Sequence, residues 1–316
     1  MKIALLYPPS DKHLLKLRLV AGGAELDVAA DTPEDTLRAV TGADAILGKR
    51  RLAEVLPRFD HEGLRWVQTQ TAGVEEFLPL LKDERTLLTS ARGLYDTDVA
   101  DHAVALWLSI SRGLVGARDR QREQRWERPP HLTAPRTALV LGLGGIGAGI
   151  AKRVAACGLR VRGMRRRGPG LDTIDGVTTV VGQDGWRELL EMTGALFLAL
   201  PLTRETEKII GPRELKRLPP GAVIVNVARG GLLDEDALVA ALREGKLGGA
   251  GLDTFATEPL PKESPLWTLP NVLVSPHLGN VFGPGTQPWE ALFEQNLARF
   301  VRGEALANLV DRKRGY

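Results

Sequence analysis

Between Met1 and Asp96, short apolar runs alternate with amphipathic stretches such as Thr32 to Val40; the runs are Lys2 to Leu6, Leu26 to Ala29, Ala45 to Leu47, Trp66 to Gln70 and Leu87 to Thr89. That alternation predicts strands and helices by turns, and so a small α/β domain on a parallel sheet. A long helical period opens near Thr97 and Asp98 with Val99, Ala103, Leu106 and Ile110 on one face, which predicts a bridging helix. The polar stretch from Gln121 to Pro135, broken by Pro129, Pro130 and Pro135, reads as a loop. A second α/β pattern follows. It has strands at Thr137 to Leu141, Leu159 to Met164, Ala195 to Leu200, Ala222 to Val227, Gly249 to Leu252 and Val272 to Val274, and helices at Trp186 to Met192 and Asp234 to Arg243. A last helix is predicted over Trp289 to Val301.

The most informative stretch is TALVLGLGGIGAGIAKRVAACG, from Thr137 to Gly158. An apolar strand ends at Gly142, Gly144 and Gly147, which fit G-x-G-x-x-G, with Gly145 and Ile146 between them. Ile146, Ile150 and Val154 then recur at steps of four, beside Ala151 and Ala155, as on a helix lying against a sheet. Each glycine has its own reason. Gly142 makes the tight turn, Gly144 lets a pyrophosphate reach the backbone, and Gly147 lets helix and strand pack closely. The phosphates would rest on the helix N-terminus.

The end of the next strand bears on which dinucleotide binds. A carboxylate about 20 residues past the first glycine would hold the ribose 2′-OH of NAD, whereas arginines there suit the 2′-phosphate of NADP. Arg165, Arg166 and Arg167 occupy the place, and no acid follows until Asp172. Forked guanidinium groups match phosphate oxygens in pairs. NADP(H) is therefore the expected cofactor, with NAD(H) the alternative and a solvated basic loop the structural one.

Composition narrows the class without changing it. The chain has 316 residues, comfortable for two domains, with 43% hydrophobic and 26% charged residues. Its 42 basic residues nearly balance 39 acidic ones, so the charge gives no reason to expect nucleic acid as a partner. No run of eighteen apolar residues occurs, so no membrane-spanning helix is expected, and the apolar N-terminal run is too short for a signal peptide. A single cysteine, Cys157, is expected in the core of a cytoplasmic protein.

Three polar groups stand just after predicted strands, where open α/β sheets place their ligands. Arg229 follows VIVNVA, Glu258 follows GLDTFAT, and His277 follows VLVSP. Reduction of a 2-oxo acid delivers hydride to the carbonyl carbon and a proton to its oxygen. An imidazolium is a suitable acid near neutral pH, and that part is given to His277. A carboxylate on the other ring nitrogen fixes the tautomer, a part for Glu258. Arg229 would clamp the substrate carboxylate and polarise the carbonyl. Each alone is equally readable as a cap or a structural ion-pair partner.

Taken in order, LPLTRETEKII at 200–210, VNVARGGLLDEDAL at 225–238, GLDTFATEPLP at 251–261 and SPHLGN at 275–280 resemble the D-2-hydroxyacid dehydrogenases. TAGVEEF at 71–77, DTDVADHAVAL at 96–106 and NLARFVRGEALANLVD at 296–311 extend the likeness over nearly the whole chain. The resemblance implies two Rossmann-like or flavodoxin-like α/β domains with parallel sheets and an active site in the cleft between them. Residues 1–97 plus 284–316 would form the substrate domain and 98–283 the dinucleotide-binding domain. It makes Arg229, Glu258 and His277 the catalytic set. The nicotinamide carboxamide would go to Asp253, and the cofactor wall to Pro201, Thr206, Val227, Ala228 and Gly279. The backbone amides of Ala72, Gly73 and Val74 would take the substrate carboxylate, and the bridging helix would build a homodimer.

Departures leave alternatives open. Many members carry Asp where Arg165 stands, and SARGLYDTD at 90–98 differs from the commoner form of that wall. Lys49, Arg50 and Arg51 follow a strand and would either grip a second anionic group, such as a phosphate, or start a solvated helix. The leading expectation is a reductase of glyoxylate, hydroxypyruvate or a similar small 2-oxo acid. A phosphoglycerate dehydrogenase and a nucleotide-sensing corepressor on the same scaffold are the rivals.

Overall fold

The computed structural model describes residues 1–128, 134–166, 174–280 and 287–315. It divides into two compact units, Met1–Leu94 with Phe282–Tyr316, and Tyr95–Val281. The break falls before the bridging helix, because that helix opens at Asp96 and packs wholly within the second unit.

The first unit contains, in chain order, β1 (Lys2–Leu6), α1 (Asp11–Val20), β2 (Glu25–Val28), α2 (Pro33–Val40), β3 (Ala45–Gly48), α3 (Leu52–Val55), β4 (Trp66–Gln68) and β5 (Leu87–Thr89). All strand pairs are parallel, in the order β2-β1-β3-β4-β5, the flavodoxin-like arrangement. Two apolar layers cover the sheet. Ala39, Val40, Leu52 and Val55 pack on one face, and Leu17 with Phe293, Leu297 and Phe300 on the other. The last three come from the C-terminal helix, which is thus recruited by the first sheet.

A buried polar chain fixes that attachment. Asn296 on the C-terminal helix is fully buried and donates to Gln68 Oε1 (2.7 Å) and the Ala307 carbonyl (3.0 Å), while its own oxygen accepts from the Ala307 amide (2.8 Å). Gln68 Oε1 also accepts from Thr89 Oγ1 (2.7 Å), which accepts from Trp66 Nε1 (2.8 Å). Each buried polar group has a partner, so the chain specifies one register for β4, β5 and the helix rather than destabilising them.

The second unit begins with α4 (Asp96–Ser111) and α5 (Leu114–Arg122). It continues through β6 (Thr137–Leu141), α6 (Gly145–Ala156), β7 (Arg160–Met164), β8 (Val177–Val181), β9 (Ala195–Leu198), α7 (Pro212–Arg217), β10 (Ala222–Asn226), α8 (Glu235–Arg243), β11 (Leu247–Leu252) and β12 (Val272–Val274); α9 (Pro288–Arg302) belongs to the first unit. The seven strands lie parallel in the order β12-β11-β10-β9-β6-β7-β8, reversing direction of winding between β6 and β9. That switch point is where such sheets open a crevice for a ligand.

Four expectations change. Part of the stretch read as a loop from Gln121 is the end of helix α5, whose residues are all at least partly exposed and so carry no apolar stripe to read. Cys157 is exposed rather than in the core, because it caps α6 beyond the buried stripe of Gly147, Ile150, Ala151 and Val154. Trp186–Met192 is a 3-10 segment, and strand β8 had no sequence counterpart.

Helix α4 owes its close seat to glycines. A side chain at Gly149 would meet Ala100 Cβ at 3.0 Å, and one at Gly251 would meet Leu106 Cβ at 2.8 Å and Ile110 Cδ1 at 3.3 Å. The Asp96 carboxylate lies directly against Gly145. Backbone therefore touches helix with no side chain between, and overpacking such a contact costs roughly 1–3 kcal/mol. Gly251→Ala should lower the melting temperature by roughly 3–10 °C, whereas Gly185→Ala, whose nearest neighbour atom would be 3.5 Å away, should leave it nearly unchanged. Equal melting temperatures for the two variants would show that α4 is not seated this tightly.

Candidate active site

The dinucleotide loop meets each sequence requirement. Gly142 has φ +96°, and a side chain there would point at the Ala199 carbonyl on the neighbouring strand. Gly144 faces open space, and Gly147 lies against the Gly142 carbonyl and Val140. The first turn of α6 carries no side-chain cap, and its amides at Gly145, Ile146 and Gly147 precede the first intrahelical bond, from Ala148 to Gly144 (2.8 Å). A backbone cradle with room at its second glycine and first-turn amides at a helix N-terminus fits a pyrophosphate. Asp96 beside Gly145 is a neighbour of this cradle that no motif announced.

At the end of β7, Arg165 is half-buried, its amide bonded to the Val181 carbonyl (3.2 Å), and Arg166 is exposed. Arg167 lies outside the described residues. Thr206 is committed locally: its hydroxyl donates to the Pro201 carbonyl (2.7 Å) and accepts from the Thr203 amide (2.8 Å), shaping the loop after β9. Val227 and Ala228 are buried.

Register explains how distant residues become neighbours. Asn226 pairs with Leu198 on one side and Leu252 on the other, and Leu252 pairs with Val274, so β9 to β12 end level. Whatever follows each strand by a few residues emerges at the same edge. Arg229 follows β10 in a turn fixed by Asn226, whose side chain donates to the Arg229 carbonyl (2.9 Å) and accepts from the Ala228 amide (3.1 Å). Arg229 itself donates to the Ala228 carbonyl (2.6 Å). Gly230 sits on the backbone of Phe255 and Ala256, leaving no room for a side chain and joining the Arg229 turn to the Glu258 segment.

Glu258 and His277 meet. His277 Nδ1 lies 2.8 Å from Glu258 Oε2, and the other carboxylate oxygen accepts from the Phe255 amide (3.0 Å). The carboxylate accepts only, so Nδ1 carries the proton and Nε2 is left to exchange one with a ligand. Their side chains are 43% and 37% exposed, which leaves both within reach of a small molecule. The pair is the arrangement a general acid needs, an imidazole in a fixed tautomer with its second ring nitrogen open to a ligand.

Asp253 is deeply buried among hydrogen-bond donors. It is 1% exposed, and its Oδ1 accepts from Ser275 Oγ (2.6 Å), the Leu278 amide (2.8 Å) and His102 Nε2 (3.1 Å), its Oδ2 from the Gly279 amide (3.0 Å). Burial alone would raise its pKa. The hydrogen bonds from His102, Ser275, Gly279 and Leu278 outweigh it and hold the carboxyl below its ordinary value. The carboxylate thus builds the loop that carries His277. The family's word pattern marks Asp253 and Ser275, but nothing in one sequence links them to His102.

The first unit carries the remaining expected residues. Thr71 Oγ1 donates to the Gly73 carbonyl (2.8 Å), curling the Ala72, Gly73 and Val74 loop, and the amides of these three donate to no backbone carbonyl among the described residues. Unpaired consecutive amides suit an anion. Lys49 is exposed, while Arg50 and Arg51 face Asp31 at 3.6 and 3.0 Å and Arg51 also reaches Glu54 (3.1 Å). Arg51 is the N-cap of α3, with φ +53°. Among the described residues, no group of three or more His, Cys, Asp or Glu is arranged to hold a metal, and no helix is long and apolar enough to cross a membrane.

The lowered Asp253 pKa has a signed consequence. A group whose folded pKa lies below its unfolded value, about 3.9 for Asp, stabilises the fold above that value and ceases to as pH falls through the folded pKa. Asp253→Asn should be less stable than the parent at neutral pH, with the gap in urea midpoint narrowing below about pH 4. A gap that stays constant through the acid range would mean that Asp253 is not held as a charged acceptor.

The sequence pattern of the D-isomer specific 2-hydroxyacid dehydrogenase NAD-binding domain matches residues 104–279. A glyoxylate/hydroxypyruvate reductase A of Salmonella paratyphi B is 34% identical over 255 residues, covering 78% of this chain and 80% of that protein. Two crystal structures overlay the whole chain and 99% of their own. One is a D-isomer specific 2-hydroxyacid dehydrogenase from Xanthobacter autotrophicus Py2 with NADPH and MES, at TM-score 0.80 and 30% identity. The other is an NADPH-dependent glyoxylate/hydroxypyruvate reductase from Sinorhizobium meliloti with NADP and sulfate, at TM-score 0.82 and 26% identity. With the glycine cradle, the level strand ends and the His277–Glu258 pair already in place, the chain belongs to the D-isomer specific 2-hydroxyacid dehydrogenase family of NAD(P)-dependent oxidoreductases.

Proposed function

We propose that this protein reduces a small 2-oxo acid of the glyoxylate or hydroxypyruvate type to the D-2-hydroxy acid, using NADPH. The observation that carries the reading is the 2.8 Å contact between His277 Nδ1 and Glu258 at the ligand edge of a dinucleotide-binding sheet. The substrate class follows the relatives named glyoxylate/hydroxypyruvate reductase, and the cofactor follows both their NADPH and NADP complexes and the arginines after β7.

When bound, the dinucleotide supplies the hydride. Gly142, Gly144, Gly145, Ile146 and Gly147 would hold its pyrophosphate, and Arg165 and Arg166, with Arg167 on sequence grounds, its 2′-phosphate. Pro201, Thr206, Val227, Ala228, Asp253 and Gly279 would shape the nicotinamide side. The amides of Ala72, Gly73 and Val74 take the substrate carboxylate, and Arg229 polarises the 2-oxo group. As the carbonyl carbon gains hydride, His277 gives the proton on Nε2 to the developing alkoxide, and Glu258 steadies the ring through Nδ1.

Arg50 faces Asp31 at 3.6 Å, which favours a solvated ion pair over a grip on a phosphorylated substrate. A homodimer is the proposed assembly. Helix α5 buries none of its residues, and Leu114 at its start is 55% exposed, an apolar side chain that a second copy would cover. Sedimentation as a monomer at micromolar concentration would count against it.

The direct test is the initial rate of NADPH and NADH oxidation with glyoxylate, hydroxypyruvate, pyruvate and phosphohydroxypyruvate. NADPH should be preferred with a small unphosphorylated acid, and His277→Ala should lower kcat by on the order of 10²–10⁴-fold. A preference for NADH overturns the role of the arginines, and full turnover in His277→Ala overturns the acid. Tight NADPH binding with no turnover on any of the four would favour the sensing rival.

A further inference from the structure

His277 occupies a backbone conformation that a histidine does not choose for itself. Its φ is +54°, in the left-handed region, which costs a non-glycine residue roughly 1–2 kcal/mol unless the surroundings enforce it. Ser275 helps enforce it, its carbonyl accepting from the His277 amide (3.0 Å), and Asp253 does the rest. The His277 amide donates to the Asp253 carbonyl (3.0 Å), and the next two amides, Leu278 and Gly279, donate to the two oxygens of the Asp253 side chain (2.8 and 3.0 Å). Asp253 therefore holds three consecutive amides.

Asp253 in turn is set by α4. Ser275 Oγ lies 2.6 Å from Asp253 Oδ1, and since a carboxylate only accepts, the hydroxyl proton points at Asp253. The serine oxygen is then free to accept, and His102 Nε2 stands 2.9 Å from it and 3.1 Å from Asp253 Oδ1. Both neighbours need a donor, so His102 carries its proton on Nε2. No side chain intervenes: Gly279 lies under His102 Cδ2 and Val99 Cγ2, each 3.6 Å from where its Cβ would be.

We propose that His102 is a positioning residue for His277, its Nε2–H locking Ser275 and Asp253 into the arrangement that forces the 277–279 turn and aims the imidazole. This rests on the reading of His277 as the proton donor. It adds that the aim is determined from the helix behind the loop and not only by Glu258. A glutamine at 102 keeps a neutral amide donor on a chain of similar reach, whereas leucine keeps bulk and removes the donor.

The test separates aim from mere stability. In His102→Leu, kcat should fall about 10–100-fold with the KM for the 2-oxo acid little changed, as when a group acts through the reacting residue rather than on the substrate. His102→Gln should stay within about threefold of the parent, and Ser275→Ala should follow the leucine variant. Independently of turnover, the His277 imidazole resonances of ¹⁵N-histidine-labelled protein should titrate at a displaced midpoint in His102→Leu and at the parent's midpoint in His102→Gln. Parent-like kcat and titration in His102→Leu overturn the proposal. So do equal losses in the leucine and glutamine variants that track melting temperature, since that is packing alone. If His277→Ala remains active while the titration shifts as expected, the acid reading fails and the positioning stands.

Discussion

A carboxylate taken out of water must be given donors, and the active-site edge of this protein is arranged around that requirement at Asp253. Leaving an ionised group buried and unpaired would cost several kcal/mol. Four donors converge on it instead, from α4, from the residue after β12, and from the turn beyond His277. Satisfying one buried charge thus fixes three segments with respect to one another, and His277 receives its unusual backbone as a by-product. Glu258, five residues on, is left partly exposed and pairs with the imidazole itself. Two carboxylates of one segment are assigned different tasks by their burial, one holding backbone and one holding the His277 side chain.

That arrangement depends on how near α4 can come. A helix normally stands off a sheet by the thickness of two side-chain layers, but here Gly249, Gly251 and Gly279 remove one layer beneath it and Gly145 and Gly149 remove one beside it. His102 can then reach past the end of β11 to a carboxylate it would otherwise miss. The same close approach brings Asp96 against the glycine loop. The glycine loop and the His277–Glu258 pair are consequently referenced to one helix, so a disturbance of its seat would be felt by both.

Much of this was readable in the chain. The glycine spacing foretold the turn at Gly142 and the packing at Gly147, since each glycine answers to a separate steric demand that the coordinates show. The placement of Arg229, Glu258 and His277 at one edge of the sheet is legible because parallel strands in register end level, so position after a strand is also position in space. Helix α5 and strand β8 were not, being partly exposed elements without a clean period. Cys157 reads as core in the sequence because the apolar neighbourhood continues past Val154, the last residue of the buried stripe, to the end of the helix. The tie from His102 to Asp253 spans 151 residues. No local pattern encodes such a contact, and the histidine reads as one more polar position on a helix.

What distinguishes this chain within its family is held in softer places than its chemistry. The His277–Glu258 pair stands on strand ends locked by register and by a buried charge, so it tolerates little change. The arginines after β7 lie where a strand gives way to loop, and Arg166 is exposed; altering such residues changes charge without touching the core. At Arg50 the neutralising partner is an exposed aspartate, Asp31, on a neighbouring loop, and a surface pair of that kind contributes only about 0–1 kcal/mol. Freeing Arg50 for an anionic substrate would need only the loss of Asp31, whereas changing the reaction would mean rebuilding a buried network. Substrate preference is therefore the property that sequence divergence can move most easily on this scaffold, and the type of reaction the one it can move least.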